Sequence, residues 1–186
     1  MTTQSTDINR SFFAQDTLTV ARGLLGVQLQ YADCKGIIVE TEAYAGDPAS
    51  HAFTRPRTGA MLRETFGCVY IYQIYGMHRC LNFTSDDSGP GAVLIRALEP
   101  LEGIESMMAR RGTDRLRNLT SGPAKLVQAL AVDPAVHGQE VGGSIRLRRV
   151  WEVEETDVAT GPRIGISKAQ ELPWRFWVKG NAHVSR

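Results

Sequence analysis

The sequence predicts one mixed α+β domain, and three observations carry that expectation. The 186 residues fit a single domain, and a hydrophobic fraction of 42% suffices to fill one core. Helix-like and strand-like segments are mixed along nearly the whole chain. Neither an internal repeat nor a linker divides it. The organisation expected is a loose polar tail over 1–10 followed by a single domain over 11–186.

Asp16 is placed to cap a helix that runs through Leu25, with Leu18, Ala21 and Leu25 on one face and Gly26 ending it. Val27-Gln28-Leu29-Gln30-Tyr31 alternates as a strand does. A turn near Asp33 then leads to a second strand, GIIVETEAY (36–44), which begins apolar and ends polar. Residues 45–66 show no sustained period and contain two prolines and two glycines, so they read as a long loop, which in a compact domain is usually functional. CVYIYQIYGMHRCLNFTS (68–85) is two strand-like halves broken at Gly76, a hairpin or a bent strand. GAVLIRAL (91–98) reads as a buried strand, with a helix to follow over 101–110. A second helix is expected to start at Pro123, where proline suits the first helical position. Three short strands are expected towards the end: SIRLRRVW (144–151), PRIGIS (162–167) and PWRFWVKG (173–180).

Composition excludes more than it selects. No stretch approaches the roughly 20 unbroken apolar residues of a membrane helix, so no membrane association is expected. The first residues lack a basic head followed by an apolar run, so no signal peptide is expected and the location expected is the cytoplasm. A net charge of +1 does not by itself point to nucleic acid, so any basic surface must be local. The three cysteines, Cys34, Cys68 and Cys80, are far apart and form no C-x-x-C pair; free thiols are expected. His51, His78, His137 and His183 are scattered, without metal-ligand spacing. No metal and no cofactor are expected.

Three constellations could carry chemistry. Period-two alternation puts Glu40, Glu42 and Tyr44 on one face of the 36–44 strand, which fits acid/base catalysis, a metal site or a solvated face. Arg96 shares an apolar face with Leu94 and Leu98, and a buried guanidinium needs a carboxylate partner. That partner makes either an internal ion pair or, with Glu42 as general base, a holder for one water. Tyr70, Tyr72 and Tyr75 cluster after a loop flanked by Tyr44 and His51; such rings pack sheets, or they hold a flipped base, a cationic one through the ring quadrupole. Between Ala109 and Lys125, Arg110, Arg111, Arg115, Arg117 and Lys125 face Asp114 alone. This is a solvated helix end or, at the S-G-P-A-K helix start, a phosphate contact. Arg146, Arg148 and Arg149 form a weaker cluster.

Taken together, VETEAY (39–44) followed by His51, VYIYQIYGM (69–77) with Asn82, VLIRALEPLEG (93–103), SGPAKLVQAL (121–130), PRIGIS and PWRFWV resemble the alkyladenine (3-methyladenine) DNA glycosylase family, in the family's order and over nearly the whole chain. The resemblance implies a single compact α+β domain with a curved antiparallel β-sheet flanked by helices. It implies that Glu42 activates water, that Arg96 helps to hold that water, and that a backbone carbonyl near the end, taken as that of Val178, assists. Tyr44 and His51 would sandwich the flipped base and Tyr72 close the pocket. Backbone atoms of Ala49 and His51 would meet the purine edge, and Asn82 would crowd the 2-amino group of guanine. Tyr75 would enter the duplex as a wedge. From the basic run, and not from the resemblance, Arg110, Arg111 and Lys125 are the candidates for contact with the DNA backbone.

The activity so implied is hydrolysis of the N-glycosidic bond of a damaged purine in double-stranded DNA. It is expected of a monomer in the cytoplasm, associated with the nucleoid. A cationic alkylated purine leaves without protonation, so one general base suffices where many glycosidases need two carboxylates. No lysine is placed as a Schiff-base nucleophile beside Glu42, so the enzyme expected leaves an abasic site without nicking the strand. Gln73, Cys68 and Arg79 depart from the family pattern, and the loop between Tyr44 and His51 is short; these bear on specificity rather than on the reaction. Two alternatives are a lesion-binding module without catalysis, against which the retained Glu42 and Arg96 weigh, and a metal nuclease built on Glu40 and Glu42, which lacks a third ligand.

Overall fold

A computed structural model describes residues 6–74 and 76–185. Asp16 accepts hydrogen bonds from the Leu18 and Thr19 N–H groups and caps α1 (Thr17–Gly23). Gly26, at φ +79°, then turns the chain into β2 (Val27–Tyr31), which pairs as a hairpin with β3 (Cys34–Tyr44). Of the tail expected over 1–10, residues 1–5 lie outside the described residues. Thr6–Asp7 forms β1, paired with a strand near the other end of the chain, and Ile8 is buried.

The stretch expected to be a loop over 45–66 contains two helices. The Ser50 hydroxyl caps α2 (His51–Thr54), and a proline opens α3 (Pro56–Glu64). Gly59 and Leu62 are the buried residues of α3, too few to leave an apolar period in the sequence. Of the two forms expected about Gly76, φ +71°, the hairpin is the one present, made by β4 (Val69–Ile74) and β5 (His78–Ser85). β6 (Gly91–Glu102) runs past the expected end at Leu98, so α4 (Ile104–Arg111) starts later than residue 101. α5 (Pro123–Leu130) begins at the expected proline.

β7 (Ile145–Arg149), β8 (Val158–Gly161) and β9 (Arg175–Val178) complete the described strands. PRIGIS, expected to be a strand, is not one. Pro162 has no N–H for a ladder, and the Ile164 N–H donates to a side chain instead.

The fold is α+β, built on an open antiparallel sheet in the order β1-β7-β2-β3-β6-β5-β4, with β9 paired to β3 and β8 to β9. β3 is the hub: β6 flanks it along nearly its whole length, β2 pairs with its first half, and β9 with Glu40–Glu42. Its residues from Gly36 to Ala43 are therefore all buried, although the sequence turns polar there. α1 packs on β3 and β6, and α5 on β5 and β6, over a core that includes Phe13, Leu24, Ile38, Phe83, Ile95, Leu98 and Phe176. No helix among the described residues is long and apolar enough to cross a membrane.

Candidate active site

The β3–β6 ladder is irregular where the polar residues lie. Glu40 faces Ala97 and Thr41 faces Ile95, so Arg96 is left without a partner strand residue. An extra residue of this kind re-aims its side chain. Arg96 reaches both carboxylates: its Nε donates to Glu40 Oε1 at 3.2 Å and its Nη1 stands 3.2 Å from Glu42 Oε1. Its Nη2 donates to the Ser185 hydroxyl at 3.2 Å. The buried arginine thus has the carboxylate partner that its apolar strand demanded, and has two of them.

The two glutamates differ in what else they meet. Glu40 accepts from Arg175 Nε at 2.6 Å, the Ser185 N–H at 2.7 Å and the Ser185 hydroxyl at 2.9 Å. Its oxygens are enclosed by these groups, which leaves it as an anchor for β6, β9 and the end of the chain. Glu42 Oε1 accepts from the Ile164 N–H at 2.7 Å, and Oε2 accepts from the Tyr44 hydroxyl at 2.8 Å. A carboxylate offers about four acceptor positions; among the described residues three are taken, by Ile164, Arg96 and Tyr44, which leaves one on Oε2. Burial, then the negative charge of Glu42, pushes the Tyr44 hydroxyl well above its usual range, so it remains a donor.

In front of Glu42 lies a cavity of about 650 Å³ lined by Tyr44, Ala49, His51, Tyr72, Asn82 and Arg96, among others. Glu42 itself is fully buried behind this lining, with its donors Tyr44, Arg96 and Ile164 at the cavity wall. His51 opens α2, and its Nδ1 lies 2.8 Å from the Tyr70 hydroxyl. The His51 ring stacks obliquely on Tyr72 at 4.1 Å, whereas Tyr44 has its ring contact with Arg163. The Tyr44 and His51 rings thus pack on different neighbours, and both line the cavity. Arg55 donates to the Tyr72 hydroxyl at 2.7 Å, and the Asn82 amide donates to the Tyr70 carbonyl at 3.1 Å. The Ala49 N–H is occupied by Asp47 Oδ1 at 2.9 Å. Burial, with the Arg55 charge second, lowers His51 below the usual imidazole value; burial pushes Tyr70 up to about 12 and the cavity-lining Cys80 thiol up to about 11.

Two residues of the site escaped the sequence reading. Arg163 and Asp47 form a buried bidentate pair at 2.7 and 3.1 Å, and Arg163 also donates to the Ala43 carbonyl at 2.9 Å. The pair ties the 45–50 segment to 162–167 and so delivers Ile164 to Glu42. Its signal was present, an arginine in an apolar run, the same that singled out Arg96.

Other expected residues are placed elsewhere. Tyr75 lies outside the described residues; Gln73 donates to the Gly76 carbonyl. The Val178 carbonyl is not at the site: it accepts from the Asn181 N–H, while the residue of β9 opposite Glu42 is Arg175. Arg110 donates to Cys34 Sγ and the Ala129 carbonyl, and Arg111 to the Leu119 carbonyl and Gln128, so both guanidinium groups clip α4 to α5. Lys125 stands apart with Arg115 and Arg117 around a separate hollow. Arg148 pairs with Asp7, and Arg149 donates to the Gly23 carbonyl. Cys68 is buried in the protein and Arg79 is exposed on β5.

Comparison with known sequences supplies an independent bearing. Residues 11–182 match the family model described as methylpurine-DNA glycosylase (MPG). A protein of Agrobacterium fabrum is 47% identical over 98% of this chain and 94% of its own length; one from Methanoculleus marisnigri is 42% identical over 95% and 97%. A Rhizobium etli relative is 47% identical over 95% of this chain and 88% of its own length. All three bear the name "Putative 3-methyladenine DNA glycosylase".

Proposed function

Since the chain belongs to the methylpurine-DNA glycosylase family, whose members are hydrolases of N-glycosyl bonds, we propose that it takes a damaged purine out of duplex DNA into the Tyr44–His51 cavity and hydrolyses its bond to deoxyribose with water activated by Glu42. The product is an abasic site. The observation that carries this reading is the unfilled acceptor position on Glu42 Oε2, next to a cavity whose wall is made by the same residues that hold the carboxylate.

A water on that position donates one proton to Glu42 and is left with its lone pairs for the anomeric carbon. Arg96, the Ile164 N–H and the Tyr44 hydroxyl fix the carboxylate, so its orientation need not be found during the reaction. An alkylated purine carries its positive charge already and departs as a neutral base. Its flat cation suits the π faces of Tyr44 and His51. Among the described residues no lysine lines the cavity, which supports direct hydrolysis over a Schiff-base route and strand nicking.

The test uses duplex oligonucleotides carrying one alkylated purine, hypoxanthine or ethenoadenine, incubated with a chelator and divided before alkali treatment. Strand breakage that appears only after alkali, and disappears in Glu42→Gln, is the expected result. No base release from any duplex would refute the reading and leave lesion binding as the function.

A further inference from the structure

We propose that Arg163 sets the charge preference of the site: its guanidinium, pressed on the face of Tyr44 turned away from the cavity, weakens the platform's hold on cationic purines relative to neutral ones. This rests on the proposed function only in taking Tyr44 as a platform for the everted base.

Arg163 Cζ lies 4.7 Å from the centre of the Tyr44 ring and 5.1 Å from that of Trp174. Tyr44 lines the cavity; Arg163, 4% exposed, does not, so the face it covers is the rear one. Two of its nitrogens engage Asp47 and the Ala43 carbonyl, but Nε is buried and has no hydrogen-bond partner among the described residues. An arginine kept only as an ion-pair partner has no reason to leave that edge bare against aromatic rings. A ring attracts a cation through the negative potential of its faces. With one cation already behind it, the ring offers a second cation in front less potential, and the two like charges repel across it. A neutral purine stacks by area and dispersion and feels little of this. The platform is thereby prevented from favouring charged bases alone, and neutral lesions stay within range. The same charge polarises the phenol and strengthens its donation to Glu42 Oε2 at 2.8 Å.

Asp47 compensates Arg163, so the pair is neutralised together: Asp47→Asn with Arg163→Gln removes the cation without stranding a buried carboxylate. Excision of N7-methylguanine and of hypoxanthine from otherwise identical duplexes is measured as kcat/KM for wild type, the double variant and Arg163→Lys. The ratio of cationic to neutral excision is expected to rise by about threefold to tenfold in the double variant, and to stay near wild type with lysine. If the glutamine pair does not fold, Asp47→Asn with Arg163→Met reads the same ratio. Binding of both duplexes is titrated in parallel in a Glu42→Gln background, which reads the preference without turnover. Equal loss for both lesions in rate and in binding would overturn the proposal and leave Arg163 as a brace. A wild-type chain that releases neither base would sink the excision reading instead, while the binding ratio would still decide the role of Arg163.

Discussion

Arg96 stands 3.2 Å from Glu42 at a bulge that removes it from the pairing of β3 with β6. One out-of-register arginine thereby serves two buried glutamates, and Arg175 adds a second cation to the group. Burying four charges is poor value for stability alone, because desolvation offsets most of the attraction. The two glutamates do not share that enclosure equally. Among the described residues Glu42 keeps an acceptor position to spare, whereas Glu40 is enclosed by four contacts to Arg96, Arg175 and Ser185.

The two glutamates should therefore part company on mutation. Glu40→Ala deprives Arg96 and Arg175 of their shared acceptor and is expected to cost about 3–5 kcal/mol. Glu42→Gln keeps the side-chain volume and leaves Arg96 paired with Glu40, so its cost in stability should be well below that, while excision falls by about a hundredfold or more. Urea unfolding curves and single-turnover rates on the two variants give the comparison. A Glu42→Gln protein less stable than Glu40→Ala would reverse these assignments.

Tyr44→Phe separates platform from donor. The ring stays over the cavity and Arg163 keeps its π partner, but Glu42 Oε2 loses the 2.8 Å hydroxyl. A hydrogen bond to a charged group is worth about 1.5–3 kcal/mol, so the chemical step should slow by roughly ten- to a hundredfold. Affinity for a lesion duplex should change little. Rapid-quench rates beside equilibrium titrations would show the split, and a variant whose binding collapses while its bound rate is normal would contradict it.

How much of this was legible in the sequence depended on how locally each feature is encoded. The Asp16 cap, the strand 27–31, the Gly76 hairpin and the Pro123 helix start are each signalled within a few residues, and each is present. Glu42 and Arg96 could be paired because a lone arginine among Leu94 and Leu98 asks for an acid. The Asp47–Arg163 pair joins positions 116 residues apart in chain, and nothing near Asp47 announces its partner. α2 and α3 were hidden because they are short and mostly solvated. PRIGIS misled because its apolar alternation serves the cavity wall, where Ile164 and Ile166 stand, rather than a sheet.

His51 makes the site sensitive to acid. Burial and the Arg55 charge lower its pKa below the ordinary 6.5, so in the folded protein the ring is neutral at pH 7. The sign follows: the unfolded chain takes up the proton first, and stability falls as the pH drops below 6.5 towards the lower folded value; His183, shifted the same way by burial, adds to that loss. In the folded protein, protonation puts a positive charge on one wall of the cavity. Affinity for a duplex with a cationic lesion should thus decline on acidification below 6.5, more steeply than for a neutral lesion, and His51→Phe should flatten the difference. Fluorescence titrations between pH 7.5 and 5.5 test this, and identical profiles for wild type and His51→Phe would remove His51 from the explanation.

Gly59 offers a way to move one wall of the cavity without touching it. A Cβ there would fall 2.5 Å from the Ala52 carbonyl oxygen, in the helix that begins with His51, and 2.9 Å from Arg63 Nη1. The arginine can swing, but the carbonyl is backbone, already accepting from Arg63 Nη2 at 2.9 Å, and it can yield only if α2 shifts as a unit. Gly59→Ala should therefore displace the His51 ring relative to Tyr44. The global core is elsewhere, among α1, α5 and the sheet, so the unfolding midpoint should move by less than that of a typical core substitution, about 1 kcal/mol or less. Misplacing a positioning group by about 1 Å costs up to a hundredfold in rate, so lesion affinity and excision should both fall while the fold persists. Urea unfolding and duplex titration on the one variant decide it: a protein that binds lesions normally would mean that α2 accommodates the methyl group without moving His51.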